Sequence, residues 1–559
     1  MPKVGLTTSL IIPTLIAAML CAVAAGKTVY VDDDAVGGGN GSSWTDAYDN
    51  LQDALTAAGD GDEIWVAQGT YTPDRGAGAA TGSREATFLL RNDVSLKGGY
   101  AGLNAPDPNA RDALSYESIL SGDLASDDIS TEDPHNLFAE LSRAENSYHI
   151  VTGSWTDATA AIDGFIIVGG NAEGPSFDGS GGGMLNLMGA PTVRNCQFRA
   201  NSAEHSGGAI LTWGNTNLSI TGCRFSGNTA NAFGGAVCNV DNACTLTDCS
   251  FVGNTASFGG GVDGGSRITL NECVFIGNSA EYGGGMKGGD EVHLMNCVFR
   301  DNSATVGGGF WQDQHPDANT AITGCTFSGN IADFGAGALI AAANAAVNNS
   351  LFIANSAVES FGGGMSVRFS GVSTMTNCTF AANSSQLGGA ALHADSAGTL
   401  DVASCILWNG GGEIASDDAS LVMVAFSDVQ GGFAGTGNID ADPCFAQPGY
   451  WDQSEGGQDA GDTFWVDGDY HLKSQAGRWD NAGQSWVQDI VTSPCIDAGS
   501  PKSSYKGELS PNGGRINMGT YGGTAEASMS VSIAGNSTDI NDACDTEDET
   551  PLMFADVRL

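Results

Sequence analysis

An acid, a base and an indole stand at equal intervals in the middle of the chain: Asp263, Lys287 and Trp311 follow one another every 24 residues. If that interval is one coil of a stacked β-structure, the three side chains form a row with a spacing of about 4.8 Å. Such a row could hold an extended glycan by ring stacking and hydrogen bonding. Lys287 with Asp263 could also supply a base and an acid for β-elimination from a uronide. A salt bridge beside an exposed ring on a varied surface is the remaining interpretation.

A second set of candidates lies two residues further along the same segments. Trp213, Asp313 and Arg368 occupy that position in their own repeats. Because side chains alternate along a strand, residues two apart share a face, so this set extends the first row. The six residues together form the candidate ligand-binding set, and the sequence assigns no catalytic residue.

The elements that must position these residues come from an internal repeat. Eight segments of the form C-x-F-x-x-N, one with Ser in place of Cys, follow one another at intervals of 24 to 28 residues. A glycine pair follows most of them within a few residues. Repeats of this length are typical of stacked units that bury their apolar faces only against their neighbours. The closing asparagines are Asn201, Asn228, Asn254, Asn278, Asn302, Asn330, Asn355 and Asn383.

Within each repeat the alternation has a period of two, so the Cys and the Phe face the same way and the residue between them faces the other. That middle column is mixed in character, which suits a solvent-facing surface. A second short strand follows each glycine pair, and a third precedes each Cys. We therefore predict an all-β parallel β-helix with three short strands per coil of about 24–28 residues.

Stacking turns each column of identical residues into a ladder. The Phe ladder is expected to form the core, at about 1.5–3 kcal/mol per buried ring. Each Asn amide should bond to the next coil and cap the strand ends, for about 1 kcal/mol net. The glycine pairs supply the positive φ of the corners. No helix follows these glycines, so a phosphate-binding loop is not indicated.

The motif F-x-x-N followed by G-G-A and an apolar residue resembles the repeat of the chlamydial polymorphic membrane proteins, and more broadly of exported right-handed parallel β-helix proteins. The opening TVYVDDDAVGGGNGSSWTDAYDNLQDAL resembles their N-terminal cap, and SPCIDAGSP resembles their closing segment. The resemblance implies a right-handed β-helix. That group includes adhesins, lyases and uncharacterised surface proteins, so the resemblance does not define an activity. Unlike the chlamydial proteins, this chain is expected to have no C-terminal autotransporter barrel.

The charge balance narrows the set of partners. The chain has 65 acidic residues against 21 Lys and Arg, a formal net charge of −44. A surface this acidic repels nucleic acids and anionic lipids. An extracellular polysaccharide or a surface protein is therefore the expected partner, although the charge could also serve solubility alone.

The first 25 residues have the features of a secretion signal. Lys3 precedes the apolar run LIIPTLIAAMLCAVAA, which ends in the small-residue exit Ala22-Val23-Ala24. No later stretch has eighteen consecutive apolar residues, so we expect no transmembrane span in the mature chain. The protein is expected to be exported, either extracellular or on the cell surface. The predicted divisions are a signal at 1–25, an N-terminal cap with the first coils at 26–160, β-helix repeats at 161–440, a C-terminal capping region at 441–528 and an acidic tail at 529–559.

Fourteen cysteines in an exported protein suggest disulfides. Most of them occupy the inward Cys column, where a thiol behaves as a small buried apolar group. Cys238 and Cys244 lie outside that column and flank the segment NVDNA, so we predict a disulfide between them. The column lacks the clustered His and the C-x-x-C pairs of structural zinc sites.

Both ends of a solenoid need covers, because an open coil exposes unpaired strand edges. The segment AYDNLQDALTAAGDGDEI has apolar residues at helical spacing and predicts an N-terminal cap helix. Four Trp residues between 441 and 528 could form a sugar-stacking platform, but capping the lower end of the core is the favoured interpretation. In the acidic tail, Asp539, Asn541 and Asp545 weakly resemble half of a dockerin calcium repeat. Calcium is thus the one cofactor considered, and no other metal is expected.

Two functions from different classes compete. The favoured one is a non-enzymatic adhesion or binding module for a glycan or protein ligand. The alternative is a polysaccharide lyase or glycoside hydrolase of the pectin-lyase-like β-helix type. The arginine-rich signatures of pectate lyases and the G-H-G and R-I-K motifs of polygalacturonases are missing, which weighs against the enzyme.

Overall fold

The computed structural model shows a long stack of coils whose strands pair in parallel with those of the adjacent coils. The all-β solenoid predicted from the repeat is therefore confirmed. The structure describes residues 26–531 except 37–38, 130–133, 135–136, 215, 242, 369–371, 397, 418 and 453–463, and it does not describe the side chains of 314–317, 342–343 and 464. The predicted signal segment and the calcium candidates Asp539, Asn541 and Asp545 lie outside these residues.

Sheet 1 has 24 strands and combines two stacks. Sheet 1a contains the strands that follow each glycine pair, and sheet 1b contains those that precede each Cys. Two long strands belong to both stacks and join them. The strands of sheet 1a are Phe88–Leu89, Val151–Thr152, Met184–Leu187, Ile210–Trp213, Val237–Val240, Val262–Asp263, Met286–Gly288, Phe310–Thr323, Ala338–Asn348, Met365–Val367, Leu392–Ala394 and Ile414–Ser416. Sheet 1b shares Phe310–Thr323 and Ala338–Asn348 and adds Thr28–Val31, Glu63–Ala67, Ser95–Tyr100, Ala161–Asp163, Thr192–Arg194, Asn217–Thr221, Ala243–Thr247, Arg267–Asn271, Glu291–Met295, Val372–Thr376, Thr399–Ala403 and Leu421–Ala425.

Sheet 2 has 13 strands and holds the Phe of each repeat, whereas sheet 3 has nine very short strands after each ladder Asn. The third sheet adds a fourth short strand to the three predicted per coil. The strands of sheet 2 are Gly69–Tyr71, Ser118–Ser121, Ile166–Val168, Gln197–Arg199, Arg224–Ser226, Ser250–Val252, Val274–Ile276, Val298–Arg300, Thr326–Ser328, Leu351–Ile353, Thr379–Ala381, Ile406–Trp408 and Asp428–Val429. Those of sheet 3 are Asn171–Ala172, Ser202–Ala203, Thr229–Ala230, Thr255–Phe258, Ser279–Tyr282, Ser303–Val306, Ile331–Phe334, Ser356–Ala357 and Ser384–Ser385.

The core contains the predicted ladder of rings. Eight Phe side chains from Phe198 to Phe380 stack with neighbouring centroids 4.6 to 5.1 Å apart and planes within 10° of parallel. All eight are buried. This spacing is that of the hydrogen-bonded strands themselves, so each ring lies flat between the rings above and below it. The Cys two residues before most of these Phe residues is also buried and has a free thiol, as predicted.

Asn278 illustrates how the asparagine ladder works. Its Oδ1 accepts hydrogen bonds from the backbone N–H and the Nδ2 of Asn254, at 3.0 and 2.9 Å. Its Nδ2 donates to Asn302 Oδ1 at 2.9 Å and to the Phe251 carbonyl at 3.0 Å. Because the residue is fully buried, these bonds replace water for every polar atom of the amide.

The ladder has defined ends. At the first coil Asn201 Oδ1 accepts a hydrogen bond from the Gly170 N–H at 3.0 Å. At the last coil Asn409 donates its backbone N–H and its Nδ2 to the Glu413 carboxylate, at 2.8 and 2.6 Å. Burial raises the pKa of Glu413. The carboxylate thus takes the place of the next amide oxygen, and no ladder donor is left without an acceptor there.

The glycine pairs form corners that need glycine for two different reasons. Gly234 has φ +61°, a conformation that other residues rarely adopt. At Gly235 an added Cβ would lie 2.2 Å from the Gly260 carbonyl oxygen of the next coil. The corner therefore needs a positive φ at its first residue and close contact between coils at its second.

The predicted Cys238–Cys244 disulfide is wrong, because both cysteines are buried with free thiols. Cys244 lies in sheet 1b and belongs to the main core. Cys238 lies in sheet 1a with its side chain on the outer face, in a separate cluster with Leu185 and Leu211. The turn between the two strands directs the side chains to opposite faces, so the sulfur atoms cannot meet.

The predicted N-terminal cap helix is present at Leu51–Ala57. Leu51, Ala54 and Leu55 are buried and join the main core beside the first strand of sheet 1b. Two 3₁₀ turns, Leu141–Arg143 and Ser176–Gly179, are the other helical elements in the described residues. The helix covers apolar side chains that would otherwise be exposed at the open end of the stack.

The C-terminal region lies along the side of the stack, so the expectation that it caps the lower end needs correction. Ile406, Ala381 and Ile353 on the outer face of sheet 2 pack against Leu472 and Met518. Its strands are Phe445–Gln447, Tyr450–Asp452, Phe464–Val466, Asp469–Leu472, Arg478–Asp480 and Ser485–Val487. The outer column of these coils is apolar, which is why chain from outside the repeat covers it.

The four Trp residues of this region do not join the core. They form two cross-strand pairs in antiparallel hairpins, Trp451 with Trp465 and Trp479 with Trp486, at ring-centroid distances of 5.3 and 5.9 Å. Trp451 keeps 49% of its surface exposed. The rings therefore stabilise hairpins and do not close the solenoid.

Removal of one ladder amide should destabilise the whole stack. We expect Asn278→Ala to lower the free energy of unfolding by about 3–5 kcal/mol, because two buried donors on Asn254 and one carbonyl lose their partners. Urea unfolding measures the change. The matched control is the exposed Asn231→Ala, with an expected change of less than about 0.5 kcal/mol. Equal stability of the two variants would contradict the role of the ladder.

A buried carboxyl at the lower end should make stability depend on pH. Burial raises the pKa of Asp428 to about 7, while Cys495 Sγ donates to its Oδ2 at 3.1 Å. Since the folded pKa exceeds the unfolded one, the contribution of Asp428 to the free energy of unfolding is highest below about pH 4 and falls by up to about 4 kcal/mol as pH rises to about 7.

Asp428→Asn should remove this pH dependence and be more stable than the wild type at pH 8. Urea unfolding at several pH values compares it with Asp401→Asn, which makes the same charge change at an exposed position. If Asp428→Asn and Asp401→Asn retain the same slope, the buried carboxyl is not the source of the pH dependence.

Candidate functional site

The structure places the first row of candidate residues in direct register. Asp263 pairs with Lys287, and Lys287 pairs with Trp311, on three adjacent strands of sheet 1a. In these strands the preceding residues Val262, Met286 and Phe310 face the core. By alternation the three candidates face outward, as predicted.

Asp263 and Lys287 of the outward row line a pocket, whereas Trp311 is not among its described lining residues. The pocket has a volume of about 330 Å³. It spans several coils of sheet 1a and the turns that follow its strands. Its lining residues are Phe233, Cys238, Asn239, Val240, Asp241, Asp263, Gly265, Ser266, Lys287, Gly289, Asp290 and Asp313.

An ion pair forms one wall of this pocket. Lys287 Nζ lies 3.3 Å from Asp263 Oδ1, and the two side chains are only 13% and 6% exposed. The Gly265 N–H also donates to Asp263 Oδ1 at 3.1 Å. Burial raises the pKa of Asp263, although the neighbouring Lys287 and the Gly265 N–H oppose the rise. Asp313 adds repulsion that raises it further.

A ladder of outward rings stands beside the pair. Phe233 and Phe258 lie 5.0 Å apart, Phe258 and Tyr282 lie 5.1 Å apart, and Trp311 tilts onto Tyr282 at 4.9 Å. Lys287 Nζ lies 6.0 Å from the centre of the Phe233 ring. Phe233, Phe258 and Tyr282 come from the segment just before a glycine pair, whereas Trp311 lies in the strand after one. They shield the charged pair from water and make the surface concave.

The second row of candidates is only partly brought together. Asp313 lines the pocket, and Trp213 is in register with the lining residue Val240. Trp213 is 38% exposed, and its ring lies 5.2 Å from that of Phe177.

Arg368 belongs to a different part of the surface. Its Nε donates to both carboxylate oxygens of Asp395, at 3.0 and 2.9 Å, and its guanidinium lies over the Phe334 ring. Arg368 is thus not part of the pocket.

Several pocket residues were missed by the sequence analysis. Asp241 and Asp290 lie in the turns that connect sheets 1a and 1b. Their positions do not belong to a repeating column, so the repeat did not predict a role for them. The ring ladder did have a signal, since an aromatic residue directly precedes the glycine pair at Phe233, Phe258 and Tyr282. Because an aromatic residue recurs at the position before these glycine pairs, the sequence could have predicted a stack of rings on the outer surface.

Comparisons with known proteins support the class of fold. Residues 184–352 match the family described as "right handed beta helix region", and residues 435–499 match the one described as "disaggregatase related". A search of curated proteins gives no match. One similar solved structure is a crystal structure of a pectate lyase, with 13% identity and a TM-score of 0.32 over 89% of this chain and 97% of that chain. The parallel stacking of the coils and the family match over residues 184–352 show a right-handed parallel β-helix fold. The likeness to the solved structure carries nothing about the site.

None of the helices in the described part of the chain is long and apolar enough to cross a membrane.

The buried pair should show strong coupling in a double-mutant cycle. Lys287→Met leaves the Asp263 carboxylate buried without its partner, so we expect a loss of about 3 kcal/mol in the free energy of unfolding. Asp263→Asn in the same chain removes the unpaired charge and should recover most of that loss. Urea unfolding of the wild type, the two single variants and the double variant gives the coupling energy. Additive losses would show that the ammonium and the carboxylate do not interact.

Proposed function

We propose that this protein is an exported, non-enzymatic β-helix module that binds a glycan in the pocket beside Asp263 and Lys287. The observation that carries the proposal is a concave site of about 330 Å³ with charged hydrogen-bonding groups on one side and an aromatic ring on another. Concave sites with a few convergent polar groups are the usual places for small ligands. The volume suits one or two sugar residues of a longer chain.

The charges of the pocket favour a neutral or cationic sugar. Among the described lining residues, Asp241, Asp263, Asp290 and Asp313 carry carboxylates and Lys287 carries an ammonium. The whole chain carries a formal net charge of −44. A polyuronate would meet repulsion both on approach and in the site, whereas hydroxyl or amino groups can donate to the carboxylates.

The aromatic ladder supports binding of an extended chain. Trp311 continues the series of stacked rings beyond the pocket lining, and Trp213 lies on the opposite side next to Val240. Ring faces pack against the C–H faces of sugars while the indole N–H can still bond a hydroxyl. Phe233, Phe258 and Tyr282 stack face to face and form a wall beside the pocket. Trp311 and Trp213 are the rings proposed to stack on sugar residues.

Export and surface location belong to the same proposal. They rest on the sequence of residues 1–25 and on the resemblance of the repeat to that of the chlamydial polymorphic membrane proteins. The buried cysteines of the inward column keep free thiols although thiols of adjacent coils are in contact, because parallel side-chain vectors disfavour the torsion of a disulfide. They are therefore compatible with an oxidising compartment.

A polysaccharide lyase is the second candidate, and one observation favours it. Lys287 lies beside an acid in a pocket on a β-helix, the residue types that β-elimination needs. To act as a base, however, Lys287 would have to leave its ion pair with Asp263. The surrounding carboxylates also disfavour an anionic substrate, so binding without turnover is the stronger proposal.

A panel of neutral, amino and acidic polysaccharides, tested for binding and turnover together, distinguishes the two functions. We expect a neutral or amino glycan to bind, with no unsaturated product from polyuronates in the presence of calcium. Trp311→Ala should weaken binding about tenfold, because a stacking ring is worth about 0.5–1.5 kcal/mol beyond its buried area. The control is Trp451→Ala, which removes an exposed ring of the C-terminal region outside the pocket lining.

Two results would overturn the binding proposal. One is absorbance from unsaturated product that Lys287→Ala abolishes, which would establish the lyase. The other is an equal effect of Trp311→Ala and Trp451→Ala on every glycan that binds, which would place the site elsewhere.

A further inference from the structure

A group of acidic side chains lies far from the pocket, in the segment that follows the strand Ser118–Ser121. One carboxylate oxygen each from Asp123, Asp128 and Glu145 can be chosen so that all three lie within 4.8 Å of one another. Two oxygens on the same Ca²⁺ ion are at most about 5 Å apart, since each bond measures about 2.3–2.6 Å. The three carboxylates thus meet the distance condition for sharing one cation.

Unpaired buried oxygens provide an independent observation. Asp128 Oδ1, Glu145 Oε1 and Asn146 Oδ1 are buried, and none has a hydrogen-bond partner in the described structure. Asn146 is fully buried. Its Nδ2 donates to Asp128 Oδ2 at 2.8 Å and to the Gly169 carbonyl at 2.6 Å, which fixes the amide beside the carboxylates with its oxygen unused. Buried acceptors without donors are costly, so three in one place call for a positive ligand.

The nearby arginine balances only part of these charges. Arg143 Nη1 donates to Asp128 Oδ2 at 3.5 Å, and its charge also acts on Asp123 and Glu145. Its Nη2 donates to the Gly170 and Ala200 carbonyls, both at 3.0 Å, and to Ser202 Oγ at 3.2 Å. One guanidinium near three carboxylates leaves a net negative charge at the cluster.

The carboxylates also disturb one another. One oxygen from each of the three carboxylates lies within 4.8 Å of the others, so their negative charges repel one another. Among the described residues, the Asp123 oxygens accept the backbone N–H groups of Asp127 and Asp128, at 3.2 and 3.0 Å. The cluster is thus destabilised as a set of ions and would be relieved by a divalent cation.

We propose that Asp123, Asp128, Glu145 and Asn146 form a calcium site. All of its ligand atoms are oxygens from carboxylates and an amide, the type that Ca²⁺ prefers, and no His or Cys of the described residues belongs to the cluster. The ligands come from two separate stretches, residues 123–128 and 145–146, so one ion cross-links them.

The cross-link has a structural consequence. The Ser147 N–H donates to the Gly122 carbonyl, and the Asn171 N–H donates to the Ser147 carbonyl, at 2.8 and 2.9 Å. Asn171 Nδ2 also donates to the Arg143 carbonyl at 3.0 Å. The segment 143–147 thus covers the first strand of sheet 3, whose edge would otherwise be open, and the ion holds that cover in place.

Calcium binding is tested on the full chain after removal of metal with a chelator. Titration calorimetry with calcium chloride at physiological salt should detect a site that the double variant Asp128→Asn/Glu145→Gln binds at least about tenfold more weakly. The control Asp60→Asn/Asp401→Asn removes the same two charges at exposed positions outside the site and should retain wild-type affinity. This comparison separates the site from diffuse attraction of calcium to an acidic surface.

The order of thermal stability of the wild type and Asp128→Asn/Glu145→Gln should reverse when calcium is added. In chelator the variant Asp128→Asn/Glu145→Gln should unfold at the same or a higher temperature than the wild type, since repulsion is relieved. In millimolar calcium the wild type should become the more stable of the two. For the wild type alone, hydrogen exchange of residues 141–149 should slow on addition of calcium.

Either of two outcomes overturns the site. Equal calcium affinity of the wild type and Asp128→Asn/Glu145→Gln would show that these oxygens do not bind the ion. If the variant fails to fold, unchanged hydrogen exchange of residues 141–149 in the wild type with calcium would reject the proposal in the same way.

Discussion

The hydrogen-bonded spacing of about 4.8 Å between stacked strands is the constraint on which this protein depends. A Phe ring can stack flat on its copy at this distance, and an Asn amide can reach the amide above and the amide below. Each buried Asn is satisfied only because its neighbours are also Asn. The ladder is therefore a single cooperative series that needs a donor at its first coil, the Gly170 N–H, and an acceptor at its last, Glu413.

The candidate pocket lies where residues of the outward column of sheet 1a differ in type from their equivalents in other coils. The positions equivalent to Asp263 and Lys287 in other coils include Leu211 above and Leu339 below, which are buried. Burial of two charged side chains in such a column is costly unless they form an ion pair. The in-register pairing of adjacent coils brings Lys287 Nζ to 3.3 Å from Asp263 Oδ1. The rings before the glycine pairs then exclude water from the pair. A repeat protein thus obtains a chemically distinct site by substituting outward residues without disturbing the core.

Segments outside the repeat close the surfaces that the repeat leaves open. The helix Leu51–Ala57 covers the first coil, residues 143–147 cover the first strand of sheet 3, and the C-terminal region covers an apolar part of the outer face of sheet 2. A solenoid has exposed edges by construction, so such covers are needed for a soluble, unaggregated stack. The acidic cluster at Asp128 lies in one of these covers. The ladders that hold the coils together do not extend into the cover, and a bound ion would hold it in place instead.

The repeat alone determined the core of this protein. The Phe and Asn ladders, the glycine corners and the register of Asp263 with Lys287 all follow from one period, because equivalent residues of stacked coils must lie over one another. Tertiary structure decided the rest. The turn after Val240 sends Cys238 and Cys244 to opposite faces, so the predicted disulfide does not form. The pocket wall and the position of the C-terminal region depend on contacts between segments far apart in the chain, and no local pattern records which outward surface a distant segment will cover.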